Sequence, residues 1–437
     1  MTILLIYVAL FVAAFFAVKF ITQFVQQQTS FTSLKTVTFG DESAVTANRA
    51  ASVISVLSIF LIWGAFTGST LLPSFLHAPA PYVGPGQFEY TVRGADGTED
   101  TATVFWDVEV AKGDLPKPEV DGGDGAAKDD GINIQKYRSG QLSWDKNDDL
   151  KRKDGARIVA INGTTVDFDP ADRDENGALR QSKPEIAIDN GSVTFTDKGA
   201  LSIKPSEGWQ MEPLYLPPPE KVWSRMIEIA SEGYRNSTLW EHLGYSLFRV
   251  IVGFACGALV GIPLGYAMGL SNWFRGWFDP IVEFMRPVPP LALIPLVIIW
   301  AGIGETGKII LLFLAALWIM AIAARSGVSG VKISKVHAAY SLGASKTQLM
   351  RHVIIPNSLP DIFTGARVAM GVCWGTVVAA ELVAAEVGAG MMIMVASKFQ
   401  LTDIVIMGII LIGIIGYGID MLMRYAENWL VPWKGKG

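Results

Sequence analysis

The sequence predicts an all-α polytopic membrane protein carrying a small, mainly-β insert that faces water. Apolar residues make up half of the 437-residue chain against 18% charged, mean hydropathy is +0.34, and the apolar residues are bunched into runs. Those runs lie at 3–25, 51–72, 243–270, 278–301, 308–324, 363–385 and 402–423, seven expected spans of roughly the 20 residues that cross about 30 Å of hydrocarbon.

The first run, TILLIYVALFVAAFFAVKF, has no basic stretch before its apolar core and no small-x-small cleavage site, so it reads as a retained helix and not a signal peptide. Both cysteines, Cys256 and Cys373, fall inside apolar runs. There they read as small packing residues, which argues against a disulfide scaffold or a thiolate metal site.

Residues 77–213 differ in character. Between 77 and 212 there are 26 acidic and 16 basic side chains, a net of −10 in a chain whose total is −5. The stretches FEYTVRG, TATVFWDVEV, RIVAING, TVDFD, EIAIDNG and SVTFTD alternate like strands and end in Gly, Asp or Asn turn signals. KPEVDGGDGAAKDDG between them is too polar and glycine-rich for a core and reads as a flexible loop, and the proline clusters PAPYVGP and LPPPEK bracket the module as stiff connections. Nothing in it looks catalytic, and the acids of DKNDDL and DFDPADRDE lack the glycine and closing glutamate of a calcium loop, so they read as a solvated acidic face.

Orientation follows from where lysine and arginine collect in short loops. Residues 325–367 hold six basic side chains (Arg325, Lys332, Lys335, Lys346, Arg351, Arg367) and one acid, Asp361. That loop is expected in the cytoplasm, together with Arg275, a nearly charge-balanced linker over about 26–50, and a tail with Arg424, Lys434 and Lys436. The acidic region 77–237 and the N-terminus then face outward, to the periplasm of a diderm bacterium.

Within the cytoplasmic loop, residues 337–360 read HAAYSLGASKTQLMRHVIIPNSLP. Ser334 is expected to cap one short helix running to about Leu342, Gly343 to end it at positive φ, and Ser345 with Gln348 to form a capping box for a second. Pro356 is expected to end that second helix, and Pro360 to begin the return to the membrane. A capped basic helix pair with small Ala338, Ala339 and Ala344 suits a knob entering a protein socket; contact with anionic lipid and a purely structural loop are the other readings.

The stretch resembles the cytoplasmic motif of ABC importer permeases: Glu-Ala-Ala, three residues, Gly, nine residues, Ile-x-Leu-Pro. The matching residues are His337, Ala338 and Ala339, then Gly343 with Ala344 and Ser345 following, then Val353, Ile355 and Pro356. HLGYSLFRVIVGF, GIPLGYAMGLS, DPIVEFMRPVPPLALIPLVIIWAGIGETGKI, IFTGARVAMG and VAAELVAAEVGAG resemble the branch serving nitrate, taurine, alkanesulfonates and bicarbonate, and the likeness covers 214–433. The resemblance implies a type I ABC importer permease core over 214–437, with five spans and a coupling loop at 325–361. It is preceded by two spans with a linker at 1–76 and by the insert at 77–213. It further implies a bacterial inner-membrane subunit that pairs with a second permease subunit, a homodimer being expected. Cytoplasmic ATPase subunits would bind ATP, and a periplasmic binding protein would deliver a small anion or zwitterion. No catalytic, cofactor or metal site is then expected in this chain, which contains no Gly-x4-Gly-Lys-Ser/Thr phosphate loop. His337 replaces the motif's usual Glu; at the third position after a Ser334 cap it would cost up to about 1 kcal/mol of helix stability.

Ionisable and helix-breaking residues inside apolar runs mark the candidate translocation path: Arg286, Pro287, Pro289, Pro290, Pro295 and Glu381. Arg286 is either an anion contact or paired with Glu283. Glu381 and Glu386 are either packing or gate residues or contacts for a docked binding protein, and Asp420 is expected to pair with Arg424. Trp273, Trp277, Trp429 and Trp433 read as interfacial anchors. Gly253, Gly257, Gly261 and Gly265 give one smooth helix face for close packing, within the subunit or across a dimer. A secondary transporter is the alternative; it would show a paired repeat and buried ionisable residues near mid-membrane, neither of which stands out in the sequence. A membrane-anchored sensor or scaffold would leave the loop motif without a purpose.

Overall fold

The computed structural model describes residues 2–26, 49–110, 113–120, 122, 125–173 and 178–433. The linker expected at 26–50 and the basic tail at 434–437 therefore lie outside the described residues, apart from the linker's ends. The chain divides into two compact units, Met1–Glu220 and Lys221–Gly437.

In the first unit, the two leading apolar runs form helices α1 (Thr2–Gln26) and α2 (Arg49–Thr67). Their described apolar stretches, Val8–Phe20 and Ala51–Thr67, are shorter than a full span. Nine strands follow: β1 (Gly84–Arg93), β2 (Glu99–Glu109), β3 (Asp130–Gln135), β4 (Gly140–Leu142), β5 (Arg157–Ile161), β6 (Thr164–Thr165), β7 (Ile186–Ile188), β8 (Gly191–Phe195) and β9 (Leu201–Pro205). They make a five-stranded sheet in the order β3-β2-β1-β5-β6 and a four-stranded sheet in the order β4-β9-β8-β7.

The β1–β2 hairpin pairs Arg93 with Glu99 and Phe88 with Val104. Period-2 alternation turns Phe88, Tyr90 and Val92 inward with Val104 and Trp106, where they meet Val193, Leu201 and Ile203 of the second sheet in one core. Of the expected strands, TVDFD contributes only Thr165, the second residue of β6, because Val166 and Phe168 are spent as core plugs in an irregular segment. β3, β4 and β9 were not legible. β3 begins at Asp130, inside the stretch read as a loop, and it pairs parallel to β2, which a hairpin reading would not anticipate.

The second unit is helical. Its first helix, α3 (Pro219–Glu232), begins at the end of the first unit. Then come α4 (Leu239–Leu270), α5 (Asn272–Met285), α6 (Ile294–Ala301), α7 (Glu305–Ser329), α8 (Ile333–Ser341), α9 (Lys346–Leu349), α10 (Ile355–Ala384), α11 (Ala389–Lys398) and α12 (Thr402–Leu430). Among the described residues four helical stretches, Leu239–Leu270, Glu305–Ser329, Lys346–Val383 and Thr402–Leu430, are long and apolar enough to cross a membrane. The run at 278–301 is not one straight span but two pieces bent by 93°. Pro287, Pro289 and Pro290 lie at the bend, where each removes a backbone donor and forbids a continuous helix.

Helix α4 starts on a capping box: Glu241 N–H donates to Thr238 Oγ1, and Thr238 N–H to the Glu241 carboxylate. Its glycines settle the question of what they pack against. Gly253, Gly257, Gly261 and Gly265 lie against Leu312, Ala316, Met320 and Ala324 of α7, so the smooth face is used within the subunit. A Cβ at Gly257 would sit 2.6 Å from the Ala316 Cβ and 2.8 Å from the Phe313 carbonyl oxygen, so only glycine allows this approach. Cys373 is buried as expected, whereas Cys256 is exposed on the subunit surface. Trp273, Trp277 and Trp429 are exposed, and the first two stack with ring centroids 6.0 Å apart.

Candidate functional site: a coupling loop and a buried ion network

The loop between α7 and α10 is two short helices held by a small apolar anchor. Val336 and Ala339 of α8, with Leu349, Val353 and Ile354, pack on Val328 and Tyr266. The opposite surface is open: His337, Ala338, Gly343 and Ser345 are exposed, and Leu342 is 89% exposed. Gly343 has φ +78°. Around it Leu342 N–H donates to Ala338 O and Ala344 N–H to Ala339 O, closing the end of α8. Ser345 and Gln348 form the reciprocal capping box.

Three expectations for this loop are corrected. The cap of α8 is Lys332, without a side-chain bond, and Ser334 lies inside the first turn. His337 is consequently the fifth helical residue and not the third, beyond the orphan N–H groups, so the capping and dipole cost assigned to it falls away. Pro356 does not end the second helix. A widened π turn, Met350–Ile354, precedes it, and the chain continues into α10 with Pro356 in its first turn, where a missing N–H is tolerated. Pro360 lies inside α10 and leaves the Pro356 carbonyl without its usual helical donor; the Trp433 indole N–H takes that place at 3.1 Å. Val353 and Pro356 are half-buried and Ile355 is exposed.

At the other end of α10, Glu381 is fully buried in a network that sequence reasoning did not assemble. Arg249 of α4, its side chain 2% exposed, donates from Nη1 to Glu381 Oε1 at 2.6 Å and to the Val387 carbonyl at 2.8 Å. Its Nε and Nη2 grip Glu305 as a fork at 2.6 and 2.7 Å, and Lys308 Nζ donates to Glu305 at 2.9 Å. Two cations therefore meet two carboxylates. Ser246 Oγ lies 2.8 Å from Glu381, and Gly390 N–H donates to the same carboxylate at 3.0 Å.

The segment AEVGAG is an elbow folded around that carboxylate. A Cβ at Gly388, whose φ is +150°, would overlap the Glu381 carboxyl group. Gly388 N–H donates to His242 Nδ1, so the proton of that imidazole is on Nε2, which donates to the Tyr234 carbonyl at 3.1 Å. An open cleft of about 640 Å³ borders the network, lined by Tyr245, Arg249, Glu305, Lys308 and Glu386. The buried ionisable residues therefore gather at the end of α10, around Glu381 and Arg249. Arg249 was visible in HLGYSLFRVIVGF as a lone charge in an apolar run, the signal by which it was findable.

Arg286 is not part of this network. Arg286 is exposed and only 3.9 Å from Glu283, whose closer partner is Arg325 at 2.8 Å; Arg325 also pairs with Asp279. Pro290 opens a single 3-10 turn, Pro290–Leu293, and Pro295 sits in the first turn of α6. Val297 is buried against Leu311 and Ala380, while Ile299 and Trp300 face outward. Asp420 accepts from Arg424 as expected, at 2.8 Å, and also from Arg367 at 3.2 Å.

Residues 257–431 match the family described as the binding-protein-dependent transport system inner membrane component. The chain is 47% identical over 245 residues to the taurine transport system permease protein TauC of Escherichia coli, covering 54% of this chain and 89% of that protein. It belongs to the nitrate, taurine and sulfonate branch of the ABC importer permeases. Other relatives of the permease are the putative aliphatic sulfonates transport permease protein SsuC of Escherichia coli and the nitrate import permease protein NrtB of Synechocystis. They are 37% and 32% identical, over 52% and 51% of this chain and 85% and 82% of their own lengths. Permeases of this family are transport components and not enzymes, and in general they work with an ATPase and a binding protein.

Proposed function

We propose that the permease is the membrane-spanning subunit of an ATP-driven importer for a small anion or zwitterion of the taurine, sulfonate or nitrate class. In this reading two copies pair, cytoplasmic ATPase subunits grip α8 and α9, and a periplasmic binding protein delivers the solute. The insert faces the periplasm, and the loop 325–361 faces the cytoplasm. The observation that carries the proposal is the exposed helix pair around Gly343, anchored on one side by apolar contacts and open on the other. Such a surface receives force from a partner. The stretch Lys346–Val383 then acts as the transmitting rod: from Leu349 to Glu381 it rises about 48 Å at 1.5 Å per residue, joining the coupling helices to the ion network. The segment 286–300 and the cleft beside Glu381 line the route, with Arg286, Pro287, Pro289, Pro290, Pro295 and Glu381 as its candidate residues.

Gly343 tests it. Within this chain a Cβ at 343 meets nothing within 4 Å, so the main cost of Gly343→Leu to the fold is the left-handed backbone penalty of about 1–2 kcal/mol. The variant is expected to reach the membrane, lose co-purification with the ATPase and lose uptake; normal uptake in cells overturns the proposal.

A further inference from the structure

The β module is acidic as a whole, yet it holds one strongly basic recess. A cleft of about 620 Å³ opens between its strands, where Arg93, Arg152, Arg157 and Lys198 outnumber the lining acids Asp169 and Asp197, and the buried Trp144, Phe168 and Phe195 form its apolar lining. That volume lies within the range of roughly 300–1,000 Å³ typical of small-molecule sites. Phe168 and Phe195 are stacked with centroids 5.1 Å apart, and both are nearly fully buried, which gives that lining a fixed shape.

The basic groups are not all consumed by neighbouring acids. Arg152 pairs with Asp145 at 2.6 Å and donates to the Lys198 carbonyl at 3.0 Å, but its Nε is buried without a hydrogen-bond partner. A buried, unmatched donor on a cation costs free energy unless an acceptor reaches it. Arg157 approaches Asp169 only to 3.7 Å, beyond hydrogen-bond distance, and its side chain is 47% exposed. Arg93 is held by Glu99 through Nε and Nη2, a cross-strand pair that fixes the guanidinium at the rim. Guanidinium groups fixed by their own ion pairs, beside an aromatic lining, suit an oxyanion attached to an apolar body.

We propose that this cleft in the β module, lined by Arg93, Arg152 and Arg157 with Trp144, Phe168 and Phe195, binds a small organic anion with a sulfonate or carboxylate head. The site is separate from the helical unit, and it stands whether or not the transport reading does. The test is calorimetric titration of the purified full chain in detergent with benzenesulfonate, and with inorganic sulfate as the tail-free oxyanion. Benzenesulfonate is expected to bind more tightly than sulfate. The exposed double variant Arg93→Gln/Arg157→Gln is expected to weaken it by about tenfold or more, since each charge-assisted contact contributes about that factor. Arg157→Lys, which keeps the charge but loses the planar fork, is expected to bind with an affinity between those of the parent chain and the double variant. Equal affinity in the parent chain and the double variant, sulfate binding as tightly as benzenesulfonate, or no heat at about 10 mM ligand overturns the proposal.

Discussion

Arg249→Met removes one member of a nearly solvent-free ion pair and leaves the other in place. Glu381 has a side chain that is 0% exposed and would keep only Ser246 Oγ and the Gly390 N–H, two neutral donors, in place of a guanidinium at 2.6 Å. Glu305 fares better, since it is 48% exposed and retains Lys308 at 2.9 Å. The cost is therefore set by Glu381, and stranding one buried charge is worth about 3–5 kcal/mol. For a helical unit of this size that lowers the unfolding midpoint by about 10 °C, measurable by thermal unfolding of the purified subunit in detergent. The double variant Arg249→Met/Glu381→Leu removes both charges. It leaves the Gly390 N–H and the Val387 carbonyl without these partners at about 1 kcal/mol each, while Ser246 Oγ keeps the His242 carbonyl at 3.1 Å, so it is expected to recover about half of the loss. A single variant within about 1 kcal/mol of the parent chain, or a double variant no more stable than the single, refutes the assignment of Arg249 as the partner that makes a buried Glu381 tolerable.

The β module has its own titration. Asp130 and Asp148 are buried together, and Tyr90 Oη lies 3.3 and 3.4 Å from them. Burial raises Asp130 to about 7, with the Asp148 charge adding to it, and raises Asp148 to about 6; burial and both aspartates also push the Tyr90 phenol up. Both carboxyl groups hold protons in the folded module at pH values where the unfolded chain has lost them. Stability is thus greatest near pH 4, falls as pH rises through about 4–7, and levels off above. The change amounts to a few kcal/mol, because each tenfold difference in proton affinity between the folded and unfolded chain is worth about 1.4 kcal/mol. Amide protection in β1 and β2, corrected for intrinsic exchange, is expected to fall from pH 5 to pH 8 and to keep only part of that slope in Asp148→Asn, because burial alone still raises Asp130; protection that rises with pH contradicts it. Gly257→Leu forces α4 away from α7 and is expected to cost about 1–3 kcal/mol and most of the folded yield, whereas Gly244→Ala on the same helix, with open space at its Cβ, is neutral or slightly stabilising by thermal unfolding. Deleting residues 84–205 is expected to spare co-purification with the ATPase, since the loop 325–361 lies in the other compact unit; loss of the ATPase from a stably inserted deletion contradicts it.

Local signals carried much of the architecture. The turn at Gly343 and the Ser345–Gln348 box are written in adjacent residues, because positive φ and reciprocal capping are properties of three or four positions. The glycine row of α4 announced a close helix contact, but its partner on α7 is a long-range fact that spacing does not encode. The same limit explains Arg249. A lone arginine in an apolar run signals a partner, yet which carboxylate meets it depends on α4, α7 and the AEVGAG elbow converging. Pro356 was misread for a different reason: proline ends a helix when the register is fixed, and the π turn at Met350–Ile354 changed the register. In the β module, strands β1, β2, β5 and β8 were legible from alternation, while β9 and the parallel β3 owe their strand form to neighbours.

The corrected position of His337 alters what the loop motif requires. A glutamate at the head of α8 would have been explained by capping, and its replacement would have been a local defect. At the fifth helical position the side chain is exposed, and it makes no contact that closes the helix end. Its own carbonyl accepts from Ser341 Oγ at 2.9 Å, a bond any residue at 337 would supply. In the proposed assembly the side chain at 337 is then available to the partner, on the same open face as Ala338, Leu342 and Gly343. The permease and its ATPase would then have to match at that position as a pair, and His337→Glu should alter ATPase co-purification while leaving the stability of the isolated subunit within about 0.5 kcal/mol of the parent chain. A large loss of subunit stability in that variant would return the residue to a capping role.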